Sequence, residues 1–239
     1  MPFSYAWTVR VETLFLDAGG VLVFPNWTRV SGVLAKHDVH VDASALAAAE
    51  PLAKQRIDLG ATIGATDDQQ RGWLYFNLVL TQAGVALNEQ TAAALADLQA
   101  YHATLNLWET VPDDVVPALD RLRGQGLRLA VISNANCTLR TMFDRVGLAS
   151  HVDAVLDSCE EGVEKPDPRL FQIGLARLGG RAETTLHVGD IYHVDVVGAR
   201  NAGLRGVLLD PFDLYDGYDC PRVRSLDALA EGLERGSWG

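Results

Sequence analysis

Short runs of consecutive apolar residues, each ending at a polar residue or a glycine, occur near the start of this chain and repeatedly through its second half. The first leads into Asp17 and is followed at once by Ala18-Gly19-Gly20-Val21, so residues 11–23 read as a strand, a glycine turn and a short apolar return. Further strands are read at 128–133, 154–157, 185–189 and 206–209, most of them from runs of this kind. Apolar runs this short, without alternation, are what strands buried on both faces look like. Between them, at 113–123, 138–146, 168–178 and 195–201, apolar residues recur at helical spacing. Pro117 falls inside the first of these and fits a helix only in its first turn or at a kink. Strands separated by helices of such length connect through right-handed crossovers. The spacing therefore predicts an α/β fold with a Rossmann-like, doubly wound, mostly parallel sheet covered on both faces.

No clear strand is expected between the first run and residue 128. Residues 26–101 are instead rich in alanine, leucine and glutamine with helical apolar spacing, as at 43–59, 72–83 and 89–102. This predicts an all-helical domain at 25–105 inserted into a core formed by 1–24 and 106–239. Ligands of such sheets lie beyond the carboxyl ends of the strands, and that is where Asp17, Ser133 and Asp190 fall.

Composition narrows the options. An apolar content of 48% over 239 residues is enough for a sizeable core. A net charge of −11 repels phosphate backbones on average and points away from nucleic acid and membrane surfaces. The start of the chain, 1–10, has no apolar stretch long enough for a signal peptide, and no later run reaches the roughly 20 residues a membrane helix needs. Cys137, Cys159 and Cys220 are far apart and odd in number, which reads as reduced thiols in a soluble cytoplasmic protein.

Phosphoryl transfer to a carboxylate needs an in-line nucleophile, a cation to neutralise the phosphoryl oxygens and donors that hold the group. Four segments supply such groups. Asp17-Ala18-Gly19-Gly20, Val131-Ile132-Ser133-Asn134, Glu164-Lys165-Pro166-Asp167-Pro168, and Val188-Gly189-Asp190 with Asp195 beyond it, in that order, resemble the motifs of the haloacid dehalogenase superfamily. Most of its members are magnesium-dependent phosphatases. Residues 158–163, 168–171 and 198–203 are also similar to the subfamily with a helical cap between the first and second motifs. The resemblance covers 11 to about 210, whereas the inserted residues match only in size and helicity.

The resemblance implies that Asp17 is the nucleophile that forms an aspartyl-phosphate. It implies that Asp17, the Gly19 carbonyl and Asp190 bind Mg2+, and that Ser133 and Asn134 contact the phosphoryl group. Lys165 would place a positive charge between phosphate and nucleophile, and Asp195 would orient the Lys165 ammonium or a water. Each residue also has a plainer reading as a cap, a turn or a strand end.

One departure stands out. The residue two after the nucleophile is usually a second aspartate acting as general acid/base, and here it is Gly19. Three readings follow: a phosphatase for substrates whose leaving group needs little protonation or that borrows an acid, with His193 as one candidate; another hydrolase of the superfamily, either a 2-haloacid dehalogenase or a phosphonatase with Lys54 in the insertion; or a non-catalytic phosphate- or partner-binding protein. Retention of Asp190 and Asp195 favours a cation and disfavours dehalogenation. Trp27, Arg29, Arg56, Arg71 and Trp73 are positioned in the insertion to contact a small phosphorylated metabolite, though the arginines read more simply as exposed helix charges and the tryptophans as packing. Oligomeric state is open.

Overall fold

The computed structural model describes residues 10–236. Of the segment read as lacking a signal peptide, residues 1–9 lie outside the described residues. The chain divides into two compact units, Met1–Phe24 with Val111–Gly239, and Pro25–Thr110.

In chain order, β1 (Thr13–Leu16) and β2 (Phe24–Pro25) precede helices α1 (Trp27–Lys36), α2 (Ala43–Ile57), α3 (Gly60–Ala65), α4 (Asp68–Gln82) and α5 (Glu89–Leu105). Then come β3 (Trp108–Thr110), α6 (Val115–Gly124), β4 (Arg128–Ser133), α7 (Leu139–Arg145), β5 (Ala154–Asp157), α8 (Ser158–Glu161) and α9 (Pro168–Leu178). The chain continues through β6 (Thr185–Gly189), a π-helical turn (Tyr192–Val196), α10 (Val197–Asn201), β7 (Arg205–Leu209), β8 (Arg222–Val223) and α11 (Leu226–Arg235).

The first unit is built on a parallel six-stranded sheet in the order β5-β4-β1-β6-β7-β8. From β1 the chain builds outward through β4 and β5, then returns to the other side of β1 for β6, β7 and β8. The reversal sets the carboxyl ends of β4, β1 and β6 side by side, with Leu16 level with both Val131 and Val188. Every residue of β1 is buried, as its unbroken apolar run requires. Phe15, Ile132, Leu156, Leu170 and Phe171 form a core cluster in this unit. Gly174 lets α9 press close, because a Cβ there would lie 2.6 Å from Ile132 Cδ1. Pro117 sits in the first turn of α6, where its missing N–H costs no helical hydrogen bond.

The second unit holds α1 to α5. Asn26, Asp67 and Asn88 cap α1, α4 and α5 through side-chain oxygens, the last two as reciprocal capping boxes. Its interior is aromatic: Trp27 packs on Phe76 at 6.0 Å and Tyr75 on Trp108 at 5.9 Å, between ring centroids. Trp73 stacks on Phe76, in keeping with packing. Arg71 is not the exposed charge its helix suggested. It is buried and donates to the carbonyls of Ile63 and Thr66. Arg29 is half-buried against Glu109, while Arg56 is exposed.

The structure adds elements the apolar pattern did not show. The stretch from the first strand to residue 128 contains β2 and β3, which pair as a separate two-stranded sheet; α1 and α3 fall within the stretch read as helical without having been delimited, and α8, β8 and α11 were unforeseen. Among the described residues no helix is long and apolar enough to cross a membrane. The reading of all cysteines as reduced thiols is corrected: Cys137 and Cys159 form a disulfide, while Cys220 is free and buried. The pair meets because β4 and β5 are neighbours, with Ser133 level with Asp157, so the loop after one strand lies beside the helix after the other.

Candidate active site

The residues of the four motifs, Asp17, Gly19, Ser133, Asn134, Lys165, Asp190 and Asp195, all belong to the first unit. Asp17 extends β1 by one residue, its N–H donating to the Val188 carbonyl at 2.9 Å. The chain then turns sharply. Gly20 has φ 73°, and the N–H groups of Leu22 and Val23 both donate to the Ala18 carbonyl at 2.9 Å. A left-handed residue is cheapest as glycine, so Gly20 is required by the turn. Within the turn the Asp17 Oδ1 accepts the Ala18 N–H at 2.8 Å, and Gly19 follows Ala18.

Ser133 ends β4 and is buried, its hydroxyl donating weakly to the Asn134 carbonyl at 3.4 Å. Asn134 reaches across to the third motif. Its Nδ2 donates to the Lys165 carbonyl at 2.9 Å and its Oδ1 accepts the Lys165 N–H at 2.7 Å. Next to it, the Ser158 hydroxyl accepts the Ala135 N–H at 3.0 Å. Asp157, fully buried at the end of β5, accepts the N–H groups of Leu139 and Cys159. The disulfide thus joins two segments that hydrogen bonds already tie together. Lys165 itself precedes a cis proline, Pro166.

The Lys165 side chain is fully buried, with Nζ 2.9 Å from Asp17 Oδ1 and 2.7 Å from Asp195 Oδ1. Burial alone would push the ammonium down, but the charges of Asp17 and Asp195 outweigh it and hold Lys165 above its ordinary value. Burial likewise pushes Asp195 up, and the Lys165 charge with the His187 hydrogen bond overrides it, holding this carboxyl below the usual carboxylate range. The lysine is therefore a fixed cation between two carboxylates.

Asp195 is placed by the π-helical turn, which folds it back onto the end of β6. Its Oδ1 meets Lys165 and His187, and its Oδ2 accepts the Ile191 N–H at 3.1 Å. Asp190, at the tip of β6, is buried. Oxygens of Asp17, Asp190 and Asp195 lie within 4.8 Å of one another. Both oxygens of Asp195 are engaged by protein donors, and Asp17 and Asp190 flank it at the ends of β1 and β6. Three buried carboxylates facing one ammonium are short of positive charge, and a hard divalent ion bound by oxygen fits that deficit.

The structure thus brings together Asp17, Ser133, Asn134, Lys165, Asp190 and Asp195, with Gly19 two residues beyond Asp17 in the same turn. His193 is half-buried within the π-helical turn, its ring edge-on to Tyr192 at 5.1 Å. Lys54 and the insertion's arginines belong to the other unit. Sequence reasoning missed His187, whose signal was a lone polar residue inside the apolar run of β6. It missed Ser158 and Asp157 as loop anchors as well.

A parallel sheet whose switch point gathers carboxylates and a buried lysine defines a hydrolase-type α/β core. The family model for haloacid dehalogenase-like hydrolases matches residues 11–203, and the chain belongs to that family. It is 36% identical over 154 residues to a ribulose-1,5-bisphosphate 5-phosphatase of Halopiger xanaduensis, covering 64% of each chain. A glyceraldehyde 3-phosphate phosphatase of Methanothermobacter thermautotrophicus is 32% identical over 138 residues, covering 57% of this chain and 60% of that protein. The matches therefore span somewhat under two thirds of those relatives. The solved HAD-hydrolase YfnB of Bacillus subtilis, bound to magnesium, shares the fold with a TM-score of 0.69 at 18% identity, over 94% of this chain and 99% of that one.

Proposed function

We propose that this protein is a Mg2+-dependent phosphatase that hydrolyses small-molecule phosphomonoesters through an aspartyl-phosphate on Asp17. The observation that carries the reading is the buried Lys165 ammonium, 2.9 Å from Asp17 Oδ1 and anchored by Asp195, beside a second buried carboxylate, Asp190. The names of the two phosphatase relatives support it.

In this reading a carboxylate oxygen of Asp17 attacks phosphorus, and the bond to the ester oxygen breaks as the alcohol departs. Ser133 and the Asn134 segment hold the phosphoryl oxygens, and Lys165 offsets charge between them and the nucleophile. Asp17, the Gly19 carbonyl and Asp190 would hold Mg2+, which supplies neutralisation of phosphoryl charge. Water then attacks the acyl-phosphate, releasing inorganic phosphate and restoring the carboxylate. Gly19 offers no side chain to protonate the leaving oxygen, so the proton comes from solvent or from a group outside the first motif. Esters of acidic alcohols are the favoured substrates for that reason.

The helical unit, read as 25–105 from the sequence, is assigned the role of a cap that selects the metabolite. The proposal includes a cytoplasmic location, where phosphorylated metabolites reside. Hydrolysis of para-nitrophenyl phosphate with Mg2+, with a chelator and with Asp17→Asn tests the reading. Activity dependent on both the metal and Asp17 is the expected result. A folded protein with no turnover, or turnover indifferent to Asp17, overturns it.

A further inference from the structure

His187 lies in the middle of β6, level with Phe15 of β1 on one side and Gly206 of β7 on the other. Its side chain is fully buried, packed edge-on against the Phe171 ring at 4.9 Å. A histidine here is costly to bury, and a second phenylalanine-sized apolar group would satisfy the packing alone. Among the described residues the ring instead makes one polar contact, from Nε2 to Asp195 Oδ1 at 3.0 Å, and its Nδ1 has no hydrogen-bond partner.

Those two facts fix the proton. Asp195 is an acceptor, since the same oxygen receives Lys165 Nζ at 2.7 Å, so Nε2 must carry the hydrogen. A second hydrogen on Nδ1 would be a buried donor with nothing to bond and a second cation beside Lys165. The ring is therefore neutral, with the Nε2–H tautomer.

We infer that His187 is a positioning residue: its Nε2–H, with the Ile191 N–H on the other oxygen, locks the Asp195 carboxylate in the orientation that aims the Lys165 ammonium at Asp17. The chain of contacts runs His187, Asp195, Lys165, Asp17, each link 3.0 Å or shorter. Lys165 has a long flexible stem and three rotatable donors, so its aim depends on its anchor. Asp195 in turn sits on an irregular turn and not in a regular helix, and without His187 it keeps one fixed donor, from the backbone. Outer hydrogen-bond partners of this kind orient the groups that touch the reacting atoms.

The inference rests on the phosphatase reading for its catalytic consequence, and two substitutions separate positioning from packing. Gln places an amide N–H near the position of Nε2, whereas Leu fills space and donates nothing. We expect His187→Gln to keep kcat on para-nitrophenyl phosphate close to that of the parent, and His187→Leu to lower it about 10- to 100-fold with a smaller change in KM. Inorganic phosphate with Mg2+ should bind more weakly to the Leu variant than to the Gln variant. Long-range proton–nitrogen correlation spectra of the parent should show Nε2 protonated and Nδ1 bare.

Equal kcat values in the parent and in a folded His187→Leu overturn the inference, as does an equal loss in both variants, which would mark a packing role. A ring protonated at Nδ1 overturns the hydrogen-bond assignment. A parent with no turnover refutes the phosphatase reading instead. In that case phosphate affinity decides the positioning inference, and identical affinity in parent, Gln and Leu proteins rejects it.

Discussion

The Asp195 carboxylate occupies the space that a side chain on Gly189 would need: a Cβ built there would lie 2.0 Å from Asp195 Cγ. The strand end must be glycine so that the π-helical turn can fold its aspartate back over it. Gly189→Ala is expected to expel that carboxylate, leaving Lys165 with Asp17 as its one remaining carboxylate. Misplacement of about 1 Å can cost 10²-fold in rate, and overpacking costs about 1–3 kcal/mol of stability. Turnover of para-nitrophenyl phosphate and a urea melt would register both. A Gly189→Ala protein with parental rate and midpoint contradicts the close approach.

An aspartate introduced at Gly19 tests whether an acid at that position would speed the reaction. Protonation matters most for poor leaving groups, so Gly19→Asp should raise kcat/KM for an alkyl phosphate towards the 10²- to 10⁴-fold range of general acids and for a nitrophenyl ester much less. The ratio of the two rates is the measurement. Equal gains would mean that the new carboxylate acts through charge or metal binding.

Stability should depend on pH through His102 in the helical unit. Burial pushes this imidazole down to about 4 from 6.5, and its Nδ1 accepts the Leu107 N–H at 3.1 Å, which needs the neutral ring. The unfolded chain takes up the proton first as pH falls. The contribution is thus whole above pH 6.5 and drains away between 6.5 and about 4. Thermal melts of the full chain at pH 7 and pH 5 should show a lower midpoint at pH 5, and His102→Asn, which keeps an acceptor but does not titrate, should reduce the difference. An unchanged pH dependence in that variant assigns the effect elsewhere.

The Cys137–Cys159 bridge closes a loop of 22 residues. In the chain-entropy model such a loop contributes about 3 kcal/mol by restricting the unfolded state. Dithiothreitol, or the Cys137→Ser and Cys159→Ser pair, should therefore lower the melting midpoint by several degrees. The parent and the serine variant should converge under reducing conditions. Identical midpoints with and without reductant would show that the bridge is absent in solution.

Much of this fold was legible because its central strands are buried on both faces and leave unbroken apolar runs. β1 and β4 announced themselves in that way and β6 by its place in the alternation of strands and helices, and their ends carried Asp17, Ser133 and Asp190. What escaped was decided by distant partners. Cys137 and Cys159 pair only because β4 and β5 are adjacent. Arg71 looked like a solvated helix charge, yet the carbonyls at Ile63 and Thr66 draw it inward. The polar letter at His187 was visible, but its partner comes from an irregular turn eight residues on, a fold-back that neither helical nor strand periodicity describes. Short paired segments such as β2 and β3 carry too few residues to show a period at all.

The way the chain leaves and re-enters the first unit has a consequence for how such a protein can be rebuilt. β2 and β3 pair, the Asn26 N–H donates to the Leu107 carbonyl at 3.0 Å, and Glu109 gathers Asn26, Arg29 and Tyr101 at 2.8–3.0 Å. The two ends of the insertion are thus laced together by strand pairing and side-chain hydrogen bonds. A helical module of another size or surface could be carried on those same joined ends, so if the insertion selects the metabolite as proposed, replacing Pro25–Thr110 would exchange selectivity as a cassette.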